Sequence, residues 1–226
     1  MTLVIAHRGA AAREYENSLA AFRAAVRLRA DGVELDIHAS ADGALFVHHN
    51  ETLDGTHHIA HTSAARLREH RLPNGEPVPT LAEALAVLGA LRVFVEVKSL
   101  APRFDDALFA TLDAGPNPAG YAVHAFDHRI VRRLKQRRPS LPCGVLSVSY
   151  LVRPTVPLDD TDATVLWQEQ RLVDRPLVEA VHGVGGAVYA WTVDDPVRMR
   201  ELIAIGADAL CTNVPDVARD VVGGAA

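Results

Sequence analysis

The chain has 226 residues, 49% of them hydrophobic, so it can bury one sizeable core and is expected to form a single domain over residues 1–226. Its formal net charge of −5 argues against a strongly electropositive surface for binding nucleic acid. No stretch approaches the roughly 20 apolar residues of a membrane span, and the N-terminus lacks signal-peptide features, so a soluble, cytoplasmic protein without membrane insertion is expected.

Short apolar or β-branched runs alternate with longer segments of helical period, which predicts parallel strands joined by crossover helices. The pattern contains eight such runs, at residues 3–6, 32–39, 92–98, 120–126, 142–148, 163–168, 187–193 and 207–213. Eight repeats in a chain of this length predict an α/β fold, the closed (β/α)8 TIM barrel. A segment of about residues 40–80 interrupts the repeat and is expected to form a small insertion after the second strand.

The first predicted strand is followed directly by His7, Arg8 and Gly9. In a TIM barrel this end of a strand belongs to the face that carries the active site. A histidine can move protons near neutral pH, and an adjacent guanidinium can hold a phosphate with two hydrogen bonds. Gly9 would let the backbone turn sharply there. The tripeptide alone says little, because a lone histidine is more often structural.

Glu34 and Asp36 are separated by one residue on the second strand, so both side chains project from the same face. The opposite, helix-packing face is supplied by Val33, Leu35 and Ile37. The two carboxylates are therefore expected in the barrel interior. Because like charges held close together repel each other, the pair predicts a bound cation.

The third strand repeats this arrangement, since Glu96 and Lys98 alternate with Val95 and Val97. A third carboxylate from a neighbouring strand is what a hard divalent cation needs, and no Cys/His cluster of zinc spacing accompanies it. The sequence therefore predicts one divalent cation, Mg²⁺ or Ca²⁺, with Mn²⁺ as a further candidate. Lys98 is expected to contact a phosphate oxygen or to orient a carboxylate.

The insertion begins with an ADG turn signal before a further short strand, and it is rich in histidine. His48 and His49 are adjacent, and alternation along a strand allows only one of them to face the interior. His57, His58 and His61 lie in a loop-like context, which favours a solvated surface over a second metal site.

Several helices carry recognisable start signals. Asn17 or Ser18 is expected to cap the first helix, Asp127 the helix before the fifth strand, and Asp195 with Pro196 the helix before the last strand.

Three further residues lie in apolar runs. Cys143 and Cys211 are expected to be buried thiols rather than members of a disulfide framework. Trp167 is expected either in the core or in the lining of a pocket.

The sequence closely resembles the glycerophosphodiester phosphodiesterase family in the order and spacing of the segments HRG, ENS, VELDIHASADG, VHHNETLDGT and FVEVK. The C-terminal segments AFDHRIVRRLKQRRPSLPCGVL and AWTVDDPVRMRELIAIGADALCTNVPD extend the resemblance over nearly the whole chain. The resemblance implies a TIM-barrel enzyme that hydrolyses glycerophosphodiesters to glycerol 3-phosphate and an alcohol with a divalent metal. It also implies that the partner is a small-molecule phosphodiester.

Residue by residue, the resemblance places the family's metal ligands on Glu34, Asp36 and Glu96 and its two catalytic histidines on His7 and His49. Other polar positions of the family's site, and an aromatic position at the mouth, fall on Arg8, Glu16, Asn17, Lys98 and Trp191. For Glu16, an exposed residue ahead of a helix cap is a competing interpretation.

Two positions depart from the family pattern: Asn50 stands where Asp usually follows the histidine, and Gly55 where Arg is common. These departures leave open a phosphodiester-binding relative that has lost turnover. A second alternative is a lysophospholipase D-like phosphodiesterase, which an exposed hydrophobic loop or an apolar groove at the barrel mouth would favour. Residues 50–80 show little of either.

Overall fold

The computed structural model describes residues 1–224, and its eleven strands include the eight of the predicted barrel. The strands are β1 (Leu3–His7), β2 (Gly32–Ala39), β3 (Leu45–Val47), β4 (Thr52–Leu53), β5 (His57–His58), β6 (Arg92–Ser99), β7 (Tyr121–Ala125), β8 (Cys143–Ser147), β9 (Val165–Glu169), β10 (Ala187–Trp191) and β11 (Ala209–Thr212). Parallel pairing runs in the order β1, β2, β6, β7, β8, β9, β10 and β11, and β11 pairs back onto β1. The predicted TIM barrel is confirmed.

Helices cover the outside of this barrel, and one short helix belongs to the insertion. They are α1 (Leu19–Arg27), α2 (Ala64–Leu67), α3 (Leu81–Leu88), α4 (Asp105–Ala114), α5 (His128–Arg137), α6 (Val156–Thr161), α7 (Arg175–Gly183), α8 (Pro196–Ala204) and α9 (Pro215–Gly223). Single 3₁₀ turns occur at Ile59–His61, Pro102–Phe104, Pro118–Gly120 and Gln170–Leu172.

Alternation along the strands separates two apolar layers. The outward side chains, such as Val33, Leu35 and Ile37, belong to the large core between strands and helices. A smaller core fills the barrel interior and consists of Ile5, Phe94, Leu146, Trp167, Ala209 and Cys211. Because these side chains fill the barrel interior, the polar residues at the carboxyl ends of the strands lie on an apolar floor.

The predicted helix caps are present at three helices. Ser18, Asp127 and Asp195 each accept a hydrogen bond from a backbone N–H in the first turn of α1, α5 and α8. Of the two candidates for α1, Ser18 is the cap. Asn17 instead donates a side-chain hydrogen bond to Asp36, 2.7 Å away.

The predicted insertion follows β2. β3 pairs antiparallel with β2, β4 and β5 form a short hairpin, and α2 follows. The insertion has its own small core, made of Phe46, Leu53, Ile59, Leu67, Leu72 and Val78. The loop context expected for His57 and His58 is wrong, because these two residues form β5. His58 and His61 are exposed, as a solvated surface requires.

Gly9 is required by the turn that follows β1. It has a φ of +84°, and a Cβ added there would lie 2.7 Å from the backbone carbonyl carbon and the Cβ of Ala21. Gly55 also has a positive φ, +73°, but apart from its two chain neighbours no residue within 1–224 has an atom within 4 Å of its added Cβ. A side chain would thus face a strained backbone conformation at both glycines, but it would also overlap with a neighbouring helix only at Gly9.

We expect Gly9→Ala to lower the free energy of unfolding by about 1–3 kcal/mol more than Gly55→Ala does, because overlap with a fixed helix adds to the cost of the backbone conformation. Urea unfolding of both variants measures the difference. Equal destabilisation would contradict the close approach of β1 and α1 at this turn.

Cys143 and Cys211 are both buried and, among the described residues, free of disulfide bonds. No helix between residues 1 and 224 is both long and apolar enough to cross a membrane. That the whole chain forms one domain stays a prediction.

Candidate active site

The carboxyl ends of four neighbouring strands bring a row of ionisable side chains together. His7 at the end of β1 is in register with Glu34 on β2. Asp36, two residues further along β2, is in register with Glu96 on β6, which in turn is in register with His124 on β7. All five lie on the inward face, which period-two alternation assigns them.

These side chains open into a cavity at the barrel mouth. Its lining consists of His7, Arg8, Glu34, His49, Glu96, Lys98, His124, Phe126, Leu146, Trp167, Trp191 and Cys211. Of the predicted site residues, seven line this cavity. The eighth, Asp36, is fully buried behind it and contacts the lining residues Arg8 and Lys98.

Glu34, Glu96 and His124 form a group able to hold a metal ion, since one ligand atom from each lies within 4.8 Å of the others. Burial lowers the pKa of His124 to about 3, so its imidazole is neutral and can act as a ligand. Within residues 1–224, the buried Oε1 of Glu34 and Oδ1 of Asp36 have no hydrogen-bond partner. Buried oxygen atoms of this kind fit a divalent cation.

Asp36 is surrounded by donors. Its Oδ2 accepts a hydrogen bond from Asn17 and lies 3.1 Å from Arg8 Nε, and its Oδ1 lies 3.5 Å from Lys98 Nζ. Burial would raise the pKa of Asp36, but the charges of Arg8 and Lys98 outweigh burial and lower it. Asp36 is therefore ionised and holds both cations in the site, and its predicted role as a metal ligand stays a prediction.

The other two carboxyl groups are protonated more easily. Burial and the neighbouring charges of Asp36 and Glu96 raise the pKa of Glu34 well above its usual range. Burial and the charge of Asp36 raise the pKa of Glu96 to about 7, although Lys98 opposes the shift at 2.8 Å. Three carboxyl groups thus face the two cations Arg8 and Lys98 in a buried space. The excess negative charge fits a divalent cation that replaces the protons.

This arrangement predicts how the stability of the metal-free protein depends on pH. A carboxyl group whose pKa is raised on folding contributes stability that is complete below its usual value of 4.5 and is lost as pH rises through about 7, the value for Glu96. In the presence of a chelator we therefore expect the free energy of unfolding to fall between about pH 5 and pH 8. Added Mg²⁺ or Mn²⁺ should flatten this profile.

Urea unfolding at a series of pH values, with chelator or with cation, measures the effect. Glu96→Gln is the matched control, because it removes the titrating group with little change in volume. Its profile in chelator should be flatter than that of the wild-type protein. A chelated wild-type protein whose stability does not change over this range would contradict the account of the site.

His7 is oriented by a chain of hydrogen bonds from the other end of the sequence. Its Nδ1 lies 2.8 Å from Asn213 Oδ1, while Asn213 Nδ2 donates to Asp194 Oδ2 at 2.7 Å. Because Asp194 fixes the amide of Asn213 with its oxygen toward the ring, Nδ1 of His7 carries the proton and donates a hydrogen bond to that oxygen. Nε2 keeps its lone pair and lies 4.0 Å from Glu34 Oε2. Burial and the charge of Arg8 lower the pKa of His7, so the ring is neutral.

His49 lines the same cavity as His7, whereas His48 lines a separate cavity on the side of the insertion. His49 Nδ1 lies 3.0 Å from Asn50 Oδ1, so Asn50 offers an amide oxygen as the orienting acceptor. The backbone oxygen of His49 also lies 3.2 Å from His38 Nε2. Burial lowers the pKa of His49. The departure from the family pattern at Asn50 thus preserves a hydrogen bond to the ring.

Arg8 is held on both sides of its guanidinium and by its backbone. Nη1 donates to Glu16 Oε2 at 2.9 Å, Nε lies beside Asp36, and the backbone N–H donates to Glu34 Oε2 at 3.1 Å. Glu16 therefore contacts a site residue rather than only solvent. These contacts fix the orientation of the guanidinium in the cavity wall.

Aromatic rings form the floor and one rim of the cavity. Trp167 is both core and lining: it is buried in the barrel interior, and its ring stacks on His124 with centroids 4.2 Å apart. At the mouth, Trp191 meets Phe126 edge to face at 5.5 Å. The predicted aromatic position at the mouth is therefore next to a second aromatic ring.

Three polar residues of the site are not among those expected from the sequence: His124, Asn213 and Asp194. His124 had a detectable signal, since it alternates with buried Val123 and Ala125 on the fourth predicted strand and so must point inward. Asn213 and Asp194 had none, because only closure of β11 against β1 brings them to His7.

Comparisons with known proteins point to one family. The Glycerophosphoryl diester phosphodiesterase family matches residues 7–217. A glycerophosphodiester phosphodiesterase of Caldanaerobacter subterraneus subsp. tengcongensis is 31% identical over 98% of each chain. Among solved structures, a glycerophosphodiester phosphodiesterase from Parabacteroides distasonis superposes with a TM-score of 0.89 at 25% identity, covering 99% of this chain and 98% of that one.

A second solved structure is similar in fold. It is a phosphodiesterase from Oleispira antarctica in complex with the product sn-glycerol-3-phosphate, with a TM-score of 0.91 at 23% identity, covering 99% of this chain and 97% of that one. The match of the family to 7–217, the identity over nearly the full length and the barrel with its acidic mouth lead to one assignment. This chain belongs to the Glycerophosphoryl diester phosphodiesterase family and is an enzyme of that family.

Proposed function

We propose that this chain hydrolyses glycerophosphodiesters to glycerol 3-phosphate and an alcohol, using His7 and His49 for proton transfer and a divalent cation held by Glu34, Asp36 and Glu96. The observation that carries the proposal is the convergence of two oriented, neutral histidines on one cavity that also contains these acidic side chains. The product complex of the Oleispira antarctica protein supports glycerol 3-phosphate as the product.

The cation would supply positive charge to the non-bridging oxygens of the phosphodiester as charge builds in the transition state. The oxygen-rich donor set suits Mg²⁺ or Ca²⁺, and the imidazole of His124 beside Glu34 and Glu96 also suits Mn²⁺. Arg8 and Lys98 would bind the same oxygens from the cavity wall, and Trp191 would contact the substrate at the mouth.

Proton transfer follows from the tautomers of the two histidines. Each ring donates its Nδ1–H to an amide oxygen, of Asn213 for His7 and of Asn50 for His49, which leaves Nε2 to exchange a proton with the substrate. One histidine would accept the proton of the attacking hydroxyl, and the other, protonated in the complex with the anionic substrate, would protonate the leaving alcohol.

For a glycerol ester the attacking group can be its own 2-hydroxyl, which is held close to phosphorus and would form a cyclic phosphate that water then opens. Direct attack by water is the alternative. A glycerophosphocholine analogue that lacks the 2-hydroxyl separates the two: it should resist hydrolysis if the cyclic route operates, whereas turnover at the rate of the natural substrate would assign direct attack.

A second candidate activity, cleavage of lysophospholipids, is favoured by one loop. After β8, at the end of the barrel that holds the cavity, Val148, Tyr150, Leu151 and Val152 are exposed, and Val152 is fully so. An exposed hydrophobic loop in this place could contact the acyl chain of a lysophospholipid.

We expect the double variant Val148→Ser/Val152→Ser to lower kcat/KM for lysophosphatidylcholine and to leave that for glycerophosphocholine unchanged, because neither residue lines the cavity. Parallel assays of the two substrates measure this. If the wild-type protein does not cleave lysophosphatidylcholine at all, the second candidate is excluded and the first is unaffected.

A further inference from the structure

We propose that the insertion holds a second cation site, formed by Asp54, His57 and His70, which binds a transition-metal ion such as Zn²⁺. It is separate from the group at the barrel mouth, since none of its three side chains lines that cavity. Two imidazoles and one carboxylate are a donor set that zinc commonly takes, with the remaining coordination position left to water.

The geometry of the three side chains brings their ligand atoms together. His57 Nδ1 lies 3.1 Å and 3.2 Å from the two carboxylate oxygens of Asp54, and His70 Nδ1 lies 3.6 Å from Asp54 Oδ2. One ligand atom from each residue lies within 4.8 Å of the others, and the two imidazole centroids are 4.7 Å apart. Two ring nitrogens thus face one carboxylate from different segments of the chain.

The carboxylate is fixed before any cation binds. Asp54 Oδ1 accepts hydrogen bonds from Thr56 Oγ1 at 2.7 Å and from the backbone N–H of Thr56 at 3.3 Å. A carboxylate that is already oriented in a tight turn needs little rearrangement to become a ligand. The side chains of Asp54, His57 and His70 are 51%, 42% and 20% exposed, so a cation can reach them from solvent.

The number of imidazole ligands distinguishes this group from the one in the barrel. At the barrel mouth two carboxylates accompany one imidazole, whereas here two imidazoles accompany one carboxylate. Divalent cations of the Zn²⁺ type bind imidazole far better than Mg²⁺ or Ca²⁺ do. The two groups should therefore select different cations from a mixture.

A cation here would join the β4–β5 hairpin to the segment that follows α2. Asp54 and His70 both line a cavity of about 390 Å³ that also contacts His48 and Asn50. This cavity is separate from the one at the barrel mouth, but its lining residue Asn50 lies 3.0 Å from Nδ1 of His49, which lines the cavity at the mouth. The inferred role is to brace the wall that carries Asn50.

The test is equilibrium dialysis of the full chain against Zn²⁺ in the presence of excess Mg²⁺. The wild-type protein is expected to retain Zn²⁺, and His57→Ala/His70→Ala should lower the affinity by more than about 10-fold. The matched control is His58→Ala/His61→Ala, which removes two exposed histidines of the same insertion, whose centroids are 5.4 Å apart. This control should bind as the wild type does.

Two further measurements show whether Zn²⁺ binds at the barrel group instead and whether each variant is folded. Glu34→Gln/Glu96→Gln, which removes the carboxylates of the barrel group, should retain the Zn²⁺ site. Circular dichroism establishes that each variant is folded, and His70→Gln replaces the double variant if that one is not. Undiminished Zn²⁺ binding in the folded His57 and His70 variants, or equal loss in the His58 and His61 control, would overturn the proposal.

Discussion

Replacing His7 or His49 with alanine is expected to lower kcat for glycerophosphocholine by about 100- to 10,000-fold, the range for losing a general acid or base. Nδ1 of each ring lies within hydrogen-bond distance of an amide oxygen and both rings line the cavity, so alanine removes the group proposed to transfer the proton. KM should change much less, because Arg8 and Lys98, the residues proposed to bind the phosphate, remain in the cavity. Steady-state kinetics at saturating cation measure both constants.

His48→Ala is the matched control for His49→Ala. The two histidines are neighbours in sequence, but only His49 lines the active-site cavity. His48→Ala should therefore keep kcat within a few fold of the wild-type value. If His49→Ala turns over at the wild-type rate while His48→Ala does not, the two assignments must be exchanged; wild-type turnover in His7→Ala would remove that residue from the mechanism.

The second large effect is expected at Arg8. Replacing it with methionine should lower kcat by about 100- to 1,000-fold, as does the loss of one preorganised donor to a developing negative charge. The guanidinium is preorganised because Glu16 and Asp36 hold two of its edges. Arg8→Lys keeps the charge but not the planar fork, so its kcat should lie between those of the wild type and of Arg8→Met.

Stability has to be measured alongside the kinetics of this variant. Removing one partner of a buried ion pair costs about 3–5 kcal/mol when the other charge is left uncompensated. Lys98 and Asn17 still contact Asp36, so the loss in Arg8→Met should be smaller than this. Thermal unfolding gives the temperature below which the variant is folded and can be assayed. A folded Arg8→Met with wild-type kcat would contradict the role of Arg8.

The sequence is sufficient to predict the barrel and to predict which polar side chains of its strands face the interior. Period-two alternation at Glu34, Asp36 and Glu96 already requires that these side chains share one face, and parallel strands bring those faces to one end. The same rule applied to His124 would have added it to the set. Alternation also separates His48 from His49, although it does not say which of them faces inward.

What the sequence could not supply depends on closure of the barrel and on packing of the insertion. Asn213 is 206 positions from His7 and meets it because β11 pairs with β1. His70 meets His57 only because the segment after α2 packs beside the β4–β5 hairpin. Neither pairing leaves a local pattern in the sequence. A cytoplasmic location stays a prediction from the sequence.

The measurement that tests the central claim most directly is release of glycerol 3-phosphate from glycerophosphocholine and glycerophosphoethanolamine by purified protein. Mg²⁺, Ca²⁺ or Mn²⁺ is added back after chelation, and Glu34→Ala is assayed in parallel. The account predicts release that depends on the added cation and is abolished in Glu34→Ala. Release from neither substrate with any of the three cations, by folded protein, would contradict it and favour a relative that binds phosphodiesters without turnover.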